Sequence, residues 1–219
     1  MNLRKAVLVL AAVVVSVAVA PSVHAQLAVY GTVTVNQLSG IKSSPEPNPN
    51  NLGSKNDSVS PLGGTGGIYY DFLKLGPVKL GADLRGTLTS TKRGAYTNYN
   101  GAGARLYSGL GGVRAVFHTR FVPIRPYLQA SAGIARTNYG ILYNGAGITT
   151  NPNPQLGNNI VLRNNFQYMG YAGVDITLLP YMDFRLVEFG YGGLNPMGTY
   201  GHNYPIKTVS SGLVFHLPF

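Results

Sequence analysis

Apolar and polar residues alternate along most of this chain with the period of two that marks a half-buried β-strand. In residues 27–38, Leu27, Val29, Val33 and Val35 share one face with Gly31, while Tyr30, Thr32, Thr34 and Asn36 share the other. Residues 66–72 set Ile68, Tyr70 and Phe72 against Tyr69 and Asp71. The cleanest stretch is 78–89, where Val78, Leu80, Ala82, Leu84 and Leu88 oppose Lys79, Asp83, Arg85 and Thr87. The pattern returns in 105–119, with Tyr107, Val113, Ala115 and Phe117 opposite Ser108, Arg114 and His118. It returns in 127–138, with Leu128, Ala130, Ala132 and Ile134 opposite Tyr127, Gln129 and Ser131. In 165–178, Phe166, Tyr168, Ala172, Val174, Ile176 and Leu178 oppose Gln167, Tyr171, Asp175 and Thr177. A seventh strand covers 182–192, and an eighth closes the chain with Leu213, Phe215, Leu217 and Phe219 on one parity.

The connections between these eight strands alternate long, short, long, short, long, short, long. The long ones fall near 39–64, 91–103, 139–163 and around Asn195-Pro196 and His202-Asn203. The short ones are Lys74-Leu75-Gly76-Pro77, the stretch 120–126, and Pro180-Tyr181. A soluble sandwich also yields many short strands, but it gives no reason for strict alternation of loop length. An even-stranded membrane barrel does, because its turns are short on one side and long on the other. The pattern therefore predicts an all-β fold, an eight-stranded antiparallel up-and-down transmembrane β-barrel. It would span residues 26–219 and follow a cleaved signal peptide at 1–25. That leader has Arg4 and Lys5, the apolar run 6–20 and the small-residue motif Val23-His24-Ala25.

Composition narrows the classes further. The chain has no cysteine, so thiolate metal sites and disulfide scaffolds are excluded. Charged residues are 11%, against 29 Gly and 15 Tyr, which suits strands with two differently wetted faces and not a disordered chain. The formal charge is +10, with Arg4 and Lys5 in the leader. For an exported chain, that balance points to phosphate-bearing lipid and not to nucleic acid.

Of the seven acidic residues, those within strands mark the inside of the barrel. Glu46 and Asp57 belong to the first long connection; Asp71, Asp83, Asp175, Asp183 and Glu188 fall within strands. The four aspartates take the parity opposite the apolar face, as do Lys79, Arg85, Arg114 and Arg185. A cation on the lipid face at mid-bilayer costs ~2–4 kcal/mol, so Asp71, Lys79, Asp83, Arg85, Arg114, Asp175, Asp183 and Arg185 are expected to form a lumen charge network. Solvent-facing charges of a soluble barrel are the alternative. Glu188 shares its parity with outward Phe184 and Leu186, unless a β-bulge near Leu186-Val187 turns it inward. With eight strands, side chains such as Tyr30, Tyr69, Arg85 and Arg114 fill the interior, which predicts little steady conductance. Tyr107, Phe117, Phe166 and Tyr168 are candidates for interfacial aromatic girdles. Lys92, Arg93, Arg105, Arg136 and Arg163 gather at the long-loop ends, as lipid-phosphate contacts or as solvated charges.

No catalytic, metal or cofactor-binding residues are expected, and no cofactor. The glycine run 63–67 lacks the lysine and helix of a phosphate loop, so it reads as strand entry. His118, His202 and His216 have no serine and acid partner evident at their strand or loop positions.

The final strand, Ser210-x-Gly212-x-x-Phe215-x-Leu217 ending on Phe219, resembles the assembly signal of bacterial outer-membrane barrels. Pro218 departs from that pattern. Over residues 26–219 the chain is similar to the small OmpA-like and OmpX-like barrel family of Gram-negative envelopes. The resemblance implies an outer-membrane location. It also implies lipids and lipopolysaccharide as surroundings, and barrel-assembly machinery and periplasmic chaperones as partners. The implied role is structural or surface-interacting (adhesion, envelope), with no wide pore. A lipid A-modifying enzyme and a narrow channel are the alternative readings.

Overall fold

The structure, a computed structural model, describes residues 26–39, 58–91, 104–118, 123–137, 162–197 and 203–217. The leader 1–25, Glu46, Asp57, Lys92, Arg93, His202 and Phe219 lie outside the described residues. The strands are β1 (Gln26–Leu38), β2 (Leu62–Leu75), β3 (Val78–Ser90), β4 (Arg105–Phe117), β5 (Ile124–Thr137), β6 (Arg163–Leu179), β7 (Met182–Pro196) and β8 (Tyr204–Leu217). Each pairs antiparallel with its neighbours in sequence, and β1 pairs with β8 from Leu27↔Leu217 to Leu38↔Ile206. The sheet is thus a closed barrel without a free edge, which satisfies every strand's backbone internally.

Polarity is inverted relative to a water-soluble core. Leu84, Leu88 and Val113 are 60–64% exposed on the outer wall, while Asp83 and Arg185 are 1% and 0% exposed inside. The parity read from the alternation holds on β3: Leu80, Ala82, Leu84 and Leu88 face outward, and Asp83, Arg85 and Thr87 inward. At ~3.3 Å per residue and a tilt near 40°, the 13 residues of β3 cover roughly 30 Å along the axis. That is enough to cross the hydrocarbon layer of a bilayer.

The short connections are tight. Gly76, at φ 60°, and Pro77 link the paired Leu75 and Val78. A glycine first in a two-residue hairpin turn is what the type II′ geometry uses. Pro180-Tyr181 likewise joins the paired Leu179 and Met182.

Several boundaries differ from the pattern reading; β2, for one, runs on to Leu75, through part of the expected turn. β2 begins at Leu62, so its glycine run is paired strand and not only an entry. β7 continues to Pro196 rather than stopping at Gly192. β5 begins at Ile124, and the Thr177 amide still donates to the Pro123 carbonyl at 2.9 Å. Pro126 stands within β5 and is paired with Val174. A proline is a poor guide to a strand end when it lies near the end of the ladder, where few hydrogen bonds remain to be lost.

Candidate functional site

The distinctive chemistry of the chain lies inside the barrel. Eight strands leave little room, so inward side chains must interlock. Glycines provide the space. A Cβ at Gly67 would strike the Tyr30 ring, and one at Gly173 would come within 2.5 Å of the Tyr127 ring. These tyrosines therefore lie across neighbouring strands and reach the barrel axis.

There they form a column of rings and guanidiniums in alternation. Arg114 stands 4.0 Å from the Tyr69 centroid and 4.1 Å from that of Tyr127. Arg185 lies between Tyr127 at 4.7 Å and Tyr30 at 4.6 Å. Arg85 continues the series beyond Tyr30 at 5.7 Å and covers Tyr171 at 3.9 Å. Each contact is a cation–π interaction, strengthened by exclusion of water.

Three carboxylates balance the three arginines. Asp175 accepts from Arg185 Nε at 2.9 Å and Nη2 at 3.3 Å, and from Arg114 Nη2 at 2.6 Å. Asp83 accepts from Arg85 Nε at 3.0 Å, Tyr30 Oη at 2.9 Å and Gln129 Nε2 at 2.6 Å. Glu188 is the hub: Arg85, Arg185, Tyr127 and Ser210 all donate to it, at 2.5–3.3 Å. Arg85 also donates to Gln129 Oε1 at 2.9 Å. The buried ions are equal in number and the carboxylates are held by donors, the setting in which such a cluster is tolerated; among the described residues, Arg114 Nε and Nη1 have no hydrogen-bond partner and face the Tyr69 and Tyr127 rings instead.

Glu188 reaches this position through a bulge. Arg185 pairs with Gly212 and Glu188 with Ser210, so Leu186 and Val187 together oppose the single residue Ser211. The extra residue shifts the phase of β7. Glu188 turns inward, and Phe189 and Tyr191 turn outward at 58% and 64% exposure.

A second cluster closes the short-turn end. Asp183 meets Arg125 Nη1 at 3.0 Å and His216 Nε2 at 2.7 Å. His216 also packs edge-on against Tyr69, centroids 6.4 Å apart. Asp71 and Lys79 face inward nearby and act on each other's charge. Just past β4, the imidazole of His118 is held down at about 4, first by burial and then by the charges of Lys79, Arg125 and Lys74.

Toward the other end the lining changes from charged to hydroxylic to apolar. Thr34 donates to Thr65 at 2.8 Å, Thr65 and Thr87 share a bond of 2.9 Å, and Asn36 donates to Thr89 at 2.9 Å. A cavity of about 10 Å³ lies among them, roughly the room one water needs. Beyond it Leu38, Leu106, Leu110, Met169, Leu194 and Ile206 fill the bore. Val59, bridged to Leu38 by two backbone hydrogen bonds of 2.8 and 2.9 Å, packs into the same cluster. The interior is therefore plugged by apolar side chains at the long-connection end.

Of the eight charged residues singled out by parity, Asp83, Arg85, Arg114, Asp175 and Arg185 are brought into one connected cluster. Asp183 joins the second cluster, and Asp71 and Lys79 face the interior beside it. Parity alone did not find Glu188, hidden by the bulge, or Arg125, hidden behind Pro126. The odd numbering that Arg125 shares with Tyr127 and Gln129 was the available signal. In the last strand, Ser210 faces inward to Glu188, Gly212 pairs with Thr32 and Arg185, and Phe215 and Leu217 pair with Val29 and Leu27.

Comparison with known proteins supports the architecture. No family model and no curated protein matches the chain. Among solved structures, Neisserial surface protein A is 15% identical, with a TM-score of 0.50 over 86% of this chain and 96% of that one. The Yersinia pestis attachment invasion locus protein Ail, solved with the heparin analogue sucrose octasulfate, is 11% identical, with a TM-score of 0.43 over 88% and 97%. The N-terminal β-barrel domain of Pseudomonas aeruginosa OprF is 12% identical, with a TM-score of 0.37 over 89% and 100%. The fold is that of the small eight-stranded outer-membrane β-barrels.

Proposed function

We infer that this chain is an integral outer-membrane protein whose barrel is a closed structural platform for its long connections, with a role in surface interaction or envelope integrity. It is neither a wide pore nor an enzyme. One observation carries this reading: the wall is apolar outside, and among the described residues the bore is occupied by side chains with room left for about one water. Three Arg–Tyr layers occupy its middle and an apolar cluster its far end. In water such a wall would be an aggregation surface; in lipid it is the solvent-matched face. The long connections 39–61, 91–104, 138–162 and 197–203 all leave from one end, where they would meet the cell exterior. Residues 1–25 would be removed on export, leaving Gln26 as the mature N-terminus. The strand 210–219 would be read by the assembly machinery through Ser210, Gly212, Phe215, Leu217 and Phe219.

Fractionation with heat-modifiable gel mobility tests the location. The protein is expected in the outer-membrane fraction and to change mobility only after boiling; recovery in the aqueous fraction would reject the reading. Replacing 39–61 and 138–162 by short turns tests the role. Adhesion or detergent resistance of the cells should fall while heat-modifiability persists. Unchanged adhesion and detergent resistance would remove the platform role.

A further inference from the structure

Two inward polar atoms share a cavity and lack a partner within the barrel. Among the described residues, Gln167 Oε1 on β6 and Thr208 Oγ1 on β8 have no hydrogen bond, although their residues are only 2% and 6% exposed. Both residues line the cavity of about 10 Å³ between the arginine–tyrosine column and the apolar cluster. Gly190 of β7, paired with Thr208, opens the space on that side, because a Cβ there would strike the Thr208 hydroxyl.

The rest of the lining is already engaged. Thr34 donates to Thr65, and Thr65 and Thr87 bond to each other. Ser210 donates to Glu188, and both oxygens of Glu188 accept from Arg85. The groups left over therefore choose the occupant. A buried carbonyl oxygen needs a donor, and an anion brings none. A cation would stand against the Arg85 guanidinium with both Glu188 oxygens already taken, so its repulsion would go uncompensated. A neutral molecule with two O–H donors matches both the chemistry and the volume, and that molecule is water.

We propose that a single internal water binds in this cavity, donating to Gln167 Oε1 and sharing a hydrogen bond with Thr208 Oγ1. It ties β6 to β8 past Gly190 of β7. Leu106, a member of the apolar cluster, borders the cavity together with the Arg85–Glu188 ion pair. The water is thus held singly and is not part of a file through the bore. The site lies inside the barrel and holds equally if the wall meets lipid or water, so its failure would leave the membrane reading in place.

The test is a crystal structure of the wild-type barrel grown in rubidium bromide, with diffraction recorded on both sides of the rubidium and bromine absorption edges. A single density peak is expected within about 3.0 Å of Gln167 Oε1 and Thr208 Oγ1, without anomalous signal at either edge. An ordered interior with no peak there would overturn the proposal. So would a rubidium signal, which marks a cation site, or a bromide signal, which marks an anion site. T208S keeps the hydroxyl and should keep the peak. T208V/Q167M removes both free oxygens at nearly constant volume and should lose it; a peak unmoved in that variant would refute these two ligands. Should the double variant not fold, the wild-type and T208S structures still decide the question.

Discussion

Glu188→Gln is the sharpest perturbation of the interior. The substitution keeps the shape of the side chain and removes one negative charge. Every group that touches the Glu188 carboxylate is a donor: Arg85 through two nitrogens, Arg185, the Tyr127 hydroxyl and the Ser210 hydroxyl. A glutamine can turn its oxygen toward one side of this set. Its NH₂ then faces donors on the other side, and at least one arginine is left without its carboxylate. Removing one partner from a buried ion pair costs about 3–5 kcal/mol, whereas an exposed pair is worth ~0.2–1 kcal/mol. Both arginines are buried, at 4% and 0% exposure, so the larger range applies. The assay is a urea titration in lipid vesicles, scored by the folded band on unboiled gels and by far-UV circular dichroism. The chain has no tryptophan to report by intrinsic indole fluorescence. A loss below about 1 kcal/mol would refute the reasoning, because it would mean that water reaches the cluster and screens it.

Two further outcomes follow from the same geometry. Leu84→Arg places a cation on the outer wall at a residue that is 60% exposed, and it should cost ~2–4 kcal/mol in vesicles; a neutral effect there would imply that the wall faces water. His118 makes stability pH-dependent. Its folded-state value of about 4 lies below the unfolded value of 6.5, so the unfolded chain takes up a proton that the folded barrel does not. This group's contribution therefore falls as pH drops from 6.5 toward 4 and is level above that window. Urea midpoints of wild type and H118Q should diverge across that window, with the variant falling less; parallel curves would contradict the assignment.

How much of this was legible in the sequence depended on phase. Along β3 the alternation is unbroken, and Lys79, Asp83, Arg85 and the opposing leucines take the faces their numbers require. β7 carries the same information up to Arg185, after which the bulge at Leu186-Val187 inverts every later position. The one trace of this insertion in the sequence is Glu188 itself, an acid on the parity of outward Phe184 and Leu186 that turns inward only if a bulge lies near Leu186-Val187, which parity alone does not establish. β4 was blurred for a different reason. Leu106 and Leu110 point inward because that end of the bore is packed with apolar groups, Val116 points inward at the opposite end, and apolar residues on both faces weaken a period-two signal. The alternating column of Tyr69, Arg114, Tyr127, Arg185, Tyr30, Arg85 and Tyr171 joins residues from seven strands, β1 to β7. Parity places each of them inside, but the order in which they stack follows from shear and from the glycine hollows at Gly67 and Gly173, which a linear pattern does not encode.

The absence of cysteine from the chain allows single spin labels to be placed without background. Labels at Leu84, Val113 and Phe189 of the reconstituted barrel, read by power-saturation paramagnetic resonance, compare access of oxygen, which concentrates in lipid, with that of a water-soluble nickel chelate. All three sites should favour oxygen. Preferential relaxation by the nickel chelate at these positions would contradict the placement of this wall against hydrocarbon.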